Sequence, residues 1–225
     1  MRIISKINRI SGPPSGGSNF NMIIRILDIR NLNIEEISKK VSEERLKKAE
    51  KYKYDADRVR AIAAHYLLND MIEQLNINIK TPVSPVVDSH GKPHIYDENE
   101  KDLFEFSLSH SGDYVACIIS DKKCGIDIER VSERPFEKIA ARVCHEDELK
   151  DINGDVKRFY DYWTLKESIL KAVGLGLSLD MRSFKLIREN NESGRYTCNV
   201  NSQKYNGEVL EAPDGYSLSY VELAE

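Results

Sequence analysis

The spacing of apolar and polar positions divides the chain into short strands and a few helices. Ile23-Ile24-Arg25-Ile26-Leu27 begins a strand directly after Met22. Residues 35–54 are highly charged and helix-favouring, with Ser42 placed as an N-cap and Glu44 in the turn that follows. Residues 57–75 carry an apolar stripe of Ile62, Ala63, Tyr66, Leu67 and Ile72 at helical spacing. Residues 104–109 alternate as a strand, and residues 114–119 follow after Gly112 and Asp113, so the two predict a hairpin. Gly125-Ile126-Asp127-Ile128-Glu129 alternates again. Its isoleucines share one face, and the carboxylates of Asp127 and Glu129 stand side by side on the other. Beyond it, residues 136–149 and 155–173 read as helices, the second ending at Gly174. Residues 183–187, 196–200 and 216–223 read as strands closing a second sheet.

The first 21 residues differ in kind. Residues 1–10 have a strand pattern, whereas Ser11-Gly12-Pro13-Pro14-Ser15-Gly16-Gly17-Ser18 is a turn-rich linker. Met22 is therefore expected to be the natural start, with residues 1–21 an added extension or linker without fixed structure. Composition narrows the class further. The chain has 225 residues, 40% hydrophobic and 31% charged, enough for one large domain or two small ones. A net charge of -4 argues against bulk binding to nucleic acid or an anionic membrane. No apolar run approaches the roughly 20 residues that span a bilayer. Cys117, Cys124, Cys144 and Cys198 lack CxxC spacing and read as reduced structural thiols. A cytoplasmic enzyme or binding protein is the expectation.

Candidate chemistry gathers at the acidic strand. Two adjacent carboxylates repel unless a cation lies between them or both point into water. A half-exposed strand with a solvated acidic face fits the stretch taken alone. In the helix of residues 155–173, Trp163, Glu167 and Lys171 follow at i, i+4 spacing and share one face, although such a Glu–Lys pair is also an ordinary surface feature. His110 ends a strand beside Ser107, Ser109 and Ser111. Arg58 and Arg60 begin a helix, where a cation is unfavourable unless an anion is bound nearby.

The ordered set Ser107-Leu108-Ser109-His110-Ser111-Gly112, Gly125-Ile126-Asp127-Ile128-Glu129 and Trp163-Thr164-Leu165-Lys166-Glu167-Ser168-Ile169-Leu170-Lys171, followed by a Gly-x-Gly-Leu-Ser-Leu run, resembles the Sfp-type 4′-phosphopantetheinyl transferases. The resemblance covers nearly the whole chain from Met22 onward. It implies an α+β fold of two similar α/β subdomains, residues 22–122 and 123–225, related by a pseudo-two-fold axis with the active site between them. It implies transfer of 4′-phosphopantetheine from coenzyme A to a serine of an apo acyl or peptidyl carrier protein, with release of 3′,5′-ADP. Asp127, Glu129 and Glu167 are thereby assigned to Mg²⁺, with Glu167 also the general base. Lys171 and His110 are assigned to the phosphates, and Ser109 is placed with them. Arg45, Lys48 and Arg60 fall at the family's basic phosphate-binding positions, and Lys92 and Pro93 at the turn near the adenine. The resemblance also implies a monomer.

Two other classes compete. A non-catalytic protein on this fold would bind coenzyme A or a carrier without transfer, and would be expected to lack an acidic ligand or Lys171. A Mg²⁺-dependent phosphodiesterase or nuclease would need further acidic ligands and a broader basic surface. The sequence shows neither departure.

Overall fold

The computed structural model describes residues 3–9, 22–97, 99–190 and 194–225. Strand β1 (Ile3–Arg9) pairs antiparallel with β2 (Met22–Asp28), so the strand pattern at the N-terminus does form a strand. The linker of residues 11–18 lies outside the described residues. Period-2 alternation along β2 sends Met22, Ile24 and Ile26 to one core and Leu27 to another. The charged stretch after it is two helices rather than one, α1 (Ile34–Ser38) and α2 (Glu43–Ala49). Ser42 is extended at ψ 147° and ends the first run before the second starts. Its hydroxyl makes no cap bond and meets the Ser84 hydroxyl at 2.7 Å instead.

The long helix α3 (Asp55–Gln74) packs on the sheet with Ile62, Ala63, Leu67 and Ile72 buried, as its stripe predicts. Two-residue strands β3 (Val86–Val87) and β4 (Pro93–His94) flank the turn at Gly91. The predicted hairpin is β5 (Glu105–Ser111) and β6 (Tyr114–Ser120), giving a sheet ordered β1-β2-β6-β5. Gly112 turns it with φ +54°, a conformation that disfavours a side chain. A Cβ there would also lie 2.1 Å from the Tyr216 hydroxyl, which accepts from the Asp113 N–H at 3.0 Å. This turn holds His110 at the strand's end.

The acidic stretch is β7 (Cys124–Arg130), the edge of a second sheet ordered β7-β11-β10-β9-β8. Its other members are β8 (Ile187–Arg188), β9 (Arg195–Val200), β10 (Gln203–Leu210) and β11 (Tyr216–Leu223). Between β7 and β8 lie α4 (Glu137–Val143), α5 (Glu146–Ile152) and α6 (Val156–Val173). The helix expected over residues 136–149 is therefore broken. Cys144 is extended, and His145 begins α5 in a capping box with Glu148. The strand expected over residues 183–187 shrinks to Ile187–Arg188, because Met181–Ser183 forms a 3₁₀ turn. There the carbonyls of Met181 and Phe184 accept from the buried Lys166 ammonium at 2.8 and 3.1 Å, which keeps this segment out of a ladder.

Alternation along both sheets produces four layers. Met22, Ile24, Ile26, Ala116 and Ile118 face Ile126, Ile128, Leu218 and Tyr220 across the space between the sheets. Their opposite faces take α3 on one side and α6 on the other. Each fully buried Ile or Leu contributes about 1.5–3 kcal/mol, so the two halves are held as one body by an apolar seam. Helix α6 approaches β7 unusually closely. A Cβ on Gly125 would lie 2.0 Å from the Ser168 carbonyl, so only glycine lets strand and helix meet here. All four cysteines are buried and unpaired; burial raises the thiols of Cys144 and Cys198 to about 12. Among the described residues, no helix is long and apolar enough to cross a membrane.

Candidate active site

The close approach of β7 to α6 brings the acidic strand against the helix that carries Trp163, Glu167 and Lys171. These five residues, Asp127 and Glu129 included, line one cavity of about 430 Å³ between the two halves. Ser109, His110 and His65 line the same space. The face that the i, i+4 spacing gives to Trp163, Glu167 and Lys171 is thus a cavity wall. Asp127 is buried rather than solvated, at 4% exposure. Its Oδ1 accepts from Ser109 Oγ at 2.7 Å and from Lys171 Nζ at 2.8 Å. Its Oδ2 is buried with no hydrogen-bond partner. The Lys171 ammonium also donates to the Leu108 and Ile126 carbonyls at 3.3 and 2.9 Å, tying α6 to both halves. Glu129 accepts from Ser111 Oγ at 2.8 Å.

Electrostatics marks this cavity as short of positive charge. Burial, and then the Asp127 carboxylate beside it, raises the pKa of Glu129. The same two causes, in the same order, raise that of Glu167. Each carboxylate would thus gain from a cation placed among them. Among the described residues no three His, Cys, Asp or Glu side chains stand together as a ready-made metal cluster. The donor set nevertheless suits a hard cation: two carboxylates from β7 and one from α6 line one cavity, with Oδ2 of Asp127 lacking any other partner. The side chain of His110 opens to solvent, yet the protein packed around its ring lowers its pKa, with Arg60 and Lys171 adding to the effect. It is therefore a neutral imidazole at neutral pH.

Two smaller cavities share walls with the first. One, of about 280 Å³, is lined by Gly91, Lys92, Pro93 and Phe106, with Glu167 and Lys171 common to both. The Lys92 ammonium is already engaged, donating to Glu105 at 2.7 Å and to the Ala172 carbonyl at 3.2 Å. The other, of about 210 Å³, is walled by Arg45, Lys48, Lys51 and Tyr52, with His65 common to it and the central cavity. Arg45 is half-buried and donates to the Pro85 carbonyl, while its buried Nε has no partner. Lys48 pairs with Glu44 at 2.8 Å on the surface of α2. Arg60 lies outside the walls of these three cavities: it pairs with Asp57 and donates to the Gly112 carbonyl at 3.2 Å. The structure thus brings together Asp127, Glu129, Glu167, Lys171, Ser109 and His110. It sets Lys92 and Pro93 on one flank and Arg45 and Lys48 on the other.

Sequence reasoning missed His65 and the pair Lys166–Glu148. Lys166 was legible as a lysine within the apolar stripe of Tyr162, Leu165 and Ile169; nothing in the pattern singled out His65. Its Nδ1 is buried without a partner, and burial, reinforced by Arg45 and Lys48, lowers its pKa to about 4. In the unfolded chain a histidine titrates near 6.5. The folded pKa is the lower one, so the unfolded state binds the proton more readily and stability falls as pH drops from about 6.5 towards 4. Denaturation midpoints measured across that window should decline by the equivalent of about 3 kcal/mol or less, and His65→Gln should flatten the slope. An unchanged slope in the variant would assign the pH dependence to other groups.

Known proteins resemble this chain over most of its length. Residues 123–221 match the model of the 4′-phosphopantetheinyl transferase superfamily, and residues 31–122 that of an N-terminal 4′-phosphopantetheinyl transferase domain. The chain is 32% identical to the 4′-phosphopantetheinyl transferase gsp of Aneurinibacillus migulanus, over 83% of this chain and 78% of that protein. It is 28% identical to the 4′-phosphopantetheinyl transferase Sfp of Bacillus subtilis, over 82% of this chain and 77% of that one. A looser likeness, with a TM-score of 0.38 and 22% identity, links 46% of this chain to 63% of the holo-[acyl-carrier-protein] synthase of Thermotoga maritima. With its two family models meeting between β6 and β7, and its acidic strand and WxxKE helix sharing one cavity, the chain belongs to the 4′-phosphopantetheinyl transferase family.

Proposed function

We propose that this protein moves the 4′-phosphopantetheine group of coenzyme A onto a serine hydroxyl of an apo acyl or peptidyl carrier protein. The observation that carries this reading is the convergence of Asp127, Glu129, Glu167 and Lys171 on one cavity that adjoins both smaller ones. The N-terminal half, residues 22–122, supplies the coenzyme A contacts. Arg45 and Lys48 take the 3′-phosphate, the turn at Lys92 and Pro93 takes the adenine, and Arg60 adds positive charge on the His110 side. The C-terminal half, residues 123–225, supplies the acidic site, where Asp127, Glu129 and Glu167 would hold Mg²⁺. When bound, Mg²⁺ offsets the pyrophosphate charge and favours departure of the leaving phosphate oxygen.

The chain's own groups account for the remaining chemistry. The carrier serine Oγ forms a bond to the phosphorus that bears the pantetheine arm. The bond from that phosphorus to the bridging oxygen breaks, and 3′,5′-ADP leaves with the electron pair. The serine proton passes to Glu167, directly or through a water. Burial and Asp127 raise the pKa of that carboxylate, which makes it a better acceptor than an ordinary glutamate. Lys171 reaches the phosphates with its ammonium, and the neutral His110 offers an N–H donor, while Ser109, whose proton goes to Asp127, lines the cavity beside them. The reading takes the protein to be a monomer working in the cytoplasm.

The test is intact-mass measurement after incubation with coenzyme A, Mg²⁺ and a panel of apo carrier proteins. A gain of one phosphopantetheine unit on a carrier serine, abolished by EDTA, is the expected result. No gain on any carrier, with coenzyme A binding intact, would overturn transfer in favour of a non-catalytic binding role.

A further inference from the structure

The two sheets are joined at the site by side chains rather than by a backbone ladder. Along β5, Ser107, Ser109 and Ser111 lie on one face at strand spacing. Their hydroxyl oxygens accept the backbone N–H groups of Ile126, Ile128 and Arg130 at 3.3, 3.3 and 3.1 Å. Each step of two along β5 matches a step of two along β7, so the strands run parallel and the serines stand where a neighbour's carbonyls would be. A serine hydroxyl has a single proton. With the backbone N–H on its oxygen, that proton is free for another acceptor. Ser109 gives it to Asp127 Oδ1 at 2.7 Å, and Ser111 to Glu129 Oε2 at 2.8 Å. Ser107 makes the same backbone contact, but the residue opposite it in this pattern is Gly125, which has no side chain.

We propose that Ser109 and Ser111 are positioning residues of the cation site. Each hydroxyl couples two tasks: its oxygen ties the acidic strand to the N-terminal half, and its proton fixes the rotamer of one carboxylate. The acidic pair is thereby oriented before a cation arrives. The second oxygen of Asp127, Oδ2, is left buried with no hydrogen-bond partner and so with its lone pairs uncommitted. Hydrogen-bond partners that orient ligands commonly change metal affinity by about 10- to 100-fold when removed. Ser107 is the built-in control, because it has the tether without the carboxylate. The inference rests on the reading of Asp127 and Glu129 as cation ligands.

The experiment is titration of the full-length protein with Mn²⁺ in the presence of coenzyme A, following the loss of the free-ion electron paramagnetic resonance signal. Ser109→Ala and Ser111→Ala should weaken Mn²⁺ binding by about 10- to 100-fold. Ser107→Ala should leave it within about twofold while lowering the melting temperature as the other two do. Ser111→Thr and Ser111→Val have the same shape and differ in the hydroxyl alone. The threonine variant should bind Mn²⁺ nearly as the parent does and the valine variant should not, which separates orientation from folding. Equal binding by the threonine and valine variants, or equal loss in all three alanine variants, would overturn the proposal. No protein-dependent loss of signal in the parent, or a loss unchanged in Asp127→Ala, would instead sink the ligand assignment and the proposal with it.

Discussion

Glu167→Ala is expected to lower the rate of carrier modification by about 10²–10⁴-fold, the largest effect of any single change considered. The side chain stands where the central cavity meets the cavity of Lys92 and Pro93, and so between the two regions a coenzyme A molecule would occupy. Alanine removes a proposed cation donor and the proposed proton acceptor together. It also relieves the crowding of three carboxylates, so the folded protein should be no less stable than the parent. Asp127→Ala should be nearly as inactive and less stable, since it leaves the Ser109 hydroxyl and the Lys171 ammonium without their shared acceptor. The measurement is the initial rate of holo-carrier formation by mass, with circular dichroism as a check on folding. A Glu167→Ala enzyme within tenfold of the parent would remove this residue from the reaction.

Lys166→Met should produce the largest loss of stability, about 3–5 kcal/mol. Lys166 precedes Glu167 in sequence but points to the opposite side of α6, at 0% exposure, where it pairs with Glu148 at 2.9 Å. Glu148 in turn accepts the N–H groups of His145 and Leu186 at 2.6 and 2.8 Å. One buried ion pair therefore fastens three things: the start of α5, the 3₁₀ turn at Met181–Ser183, and the helix that bears Trp163, Glu167 and Lys171. Removing the lysine strands a buried carboxylate, which costs more than the pair itself is worth. For a chain of this size a change of that magnitude lowers the melting temperature by roughly 10 °C. Adding Glu148→Leu to Lys166→Met should recover part of the loss, because no lone charge then remains buried. Calorimetry on the single and double variants checks this. A single variant that melts with the parent would show the pair to be dispensable.

Much of this protein was legible along the chain. Strand-forming runs located β2, β5, β6, β7 and β11 to within a residue or two, with period-2 alternation along β5 and β7. The helical stripe of α3 and the Gly174 stop of α6 were equally direct. The i, i+4 spacing put Trp163, Glu167 and Lys171 on one face. The ordered motifs then pointed to the family that the comparisons bear out. The short elements were less legible. β10 (Gln203–Leu210) contains Asn206-Gly207, which in isolation reads as a turn, yet it is held in place by strands on both sides. Residues 183–187 looked like a strand until Lys166 claimed two of the nearby carbonyls.

What the sequence by itself determined, then, is local: which segments alternate, where helices start and stop, and which groups are available for chemistry. Those properties follow from side-chain spacing over a few residues, and the rest of the chain overrode them only at short elements such as residues 183–187 and β10. Only the tertiary structure decided that Asp127 is buried, that its carboxylate meets Ser109 from one half and Lys171 from the other, and that Arg60 turns instead to Asp57 and Gly112. Apart from Arg60 with Asp57, each of these contacts joins residues far apart along the chain. The depth of a carboxylate and the pull on its proton depend on which surfaces close over it, and that is settled when the two sheets pack face to face and Gly125 lets α6 come down against the acidic strand.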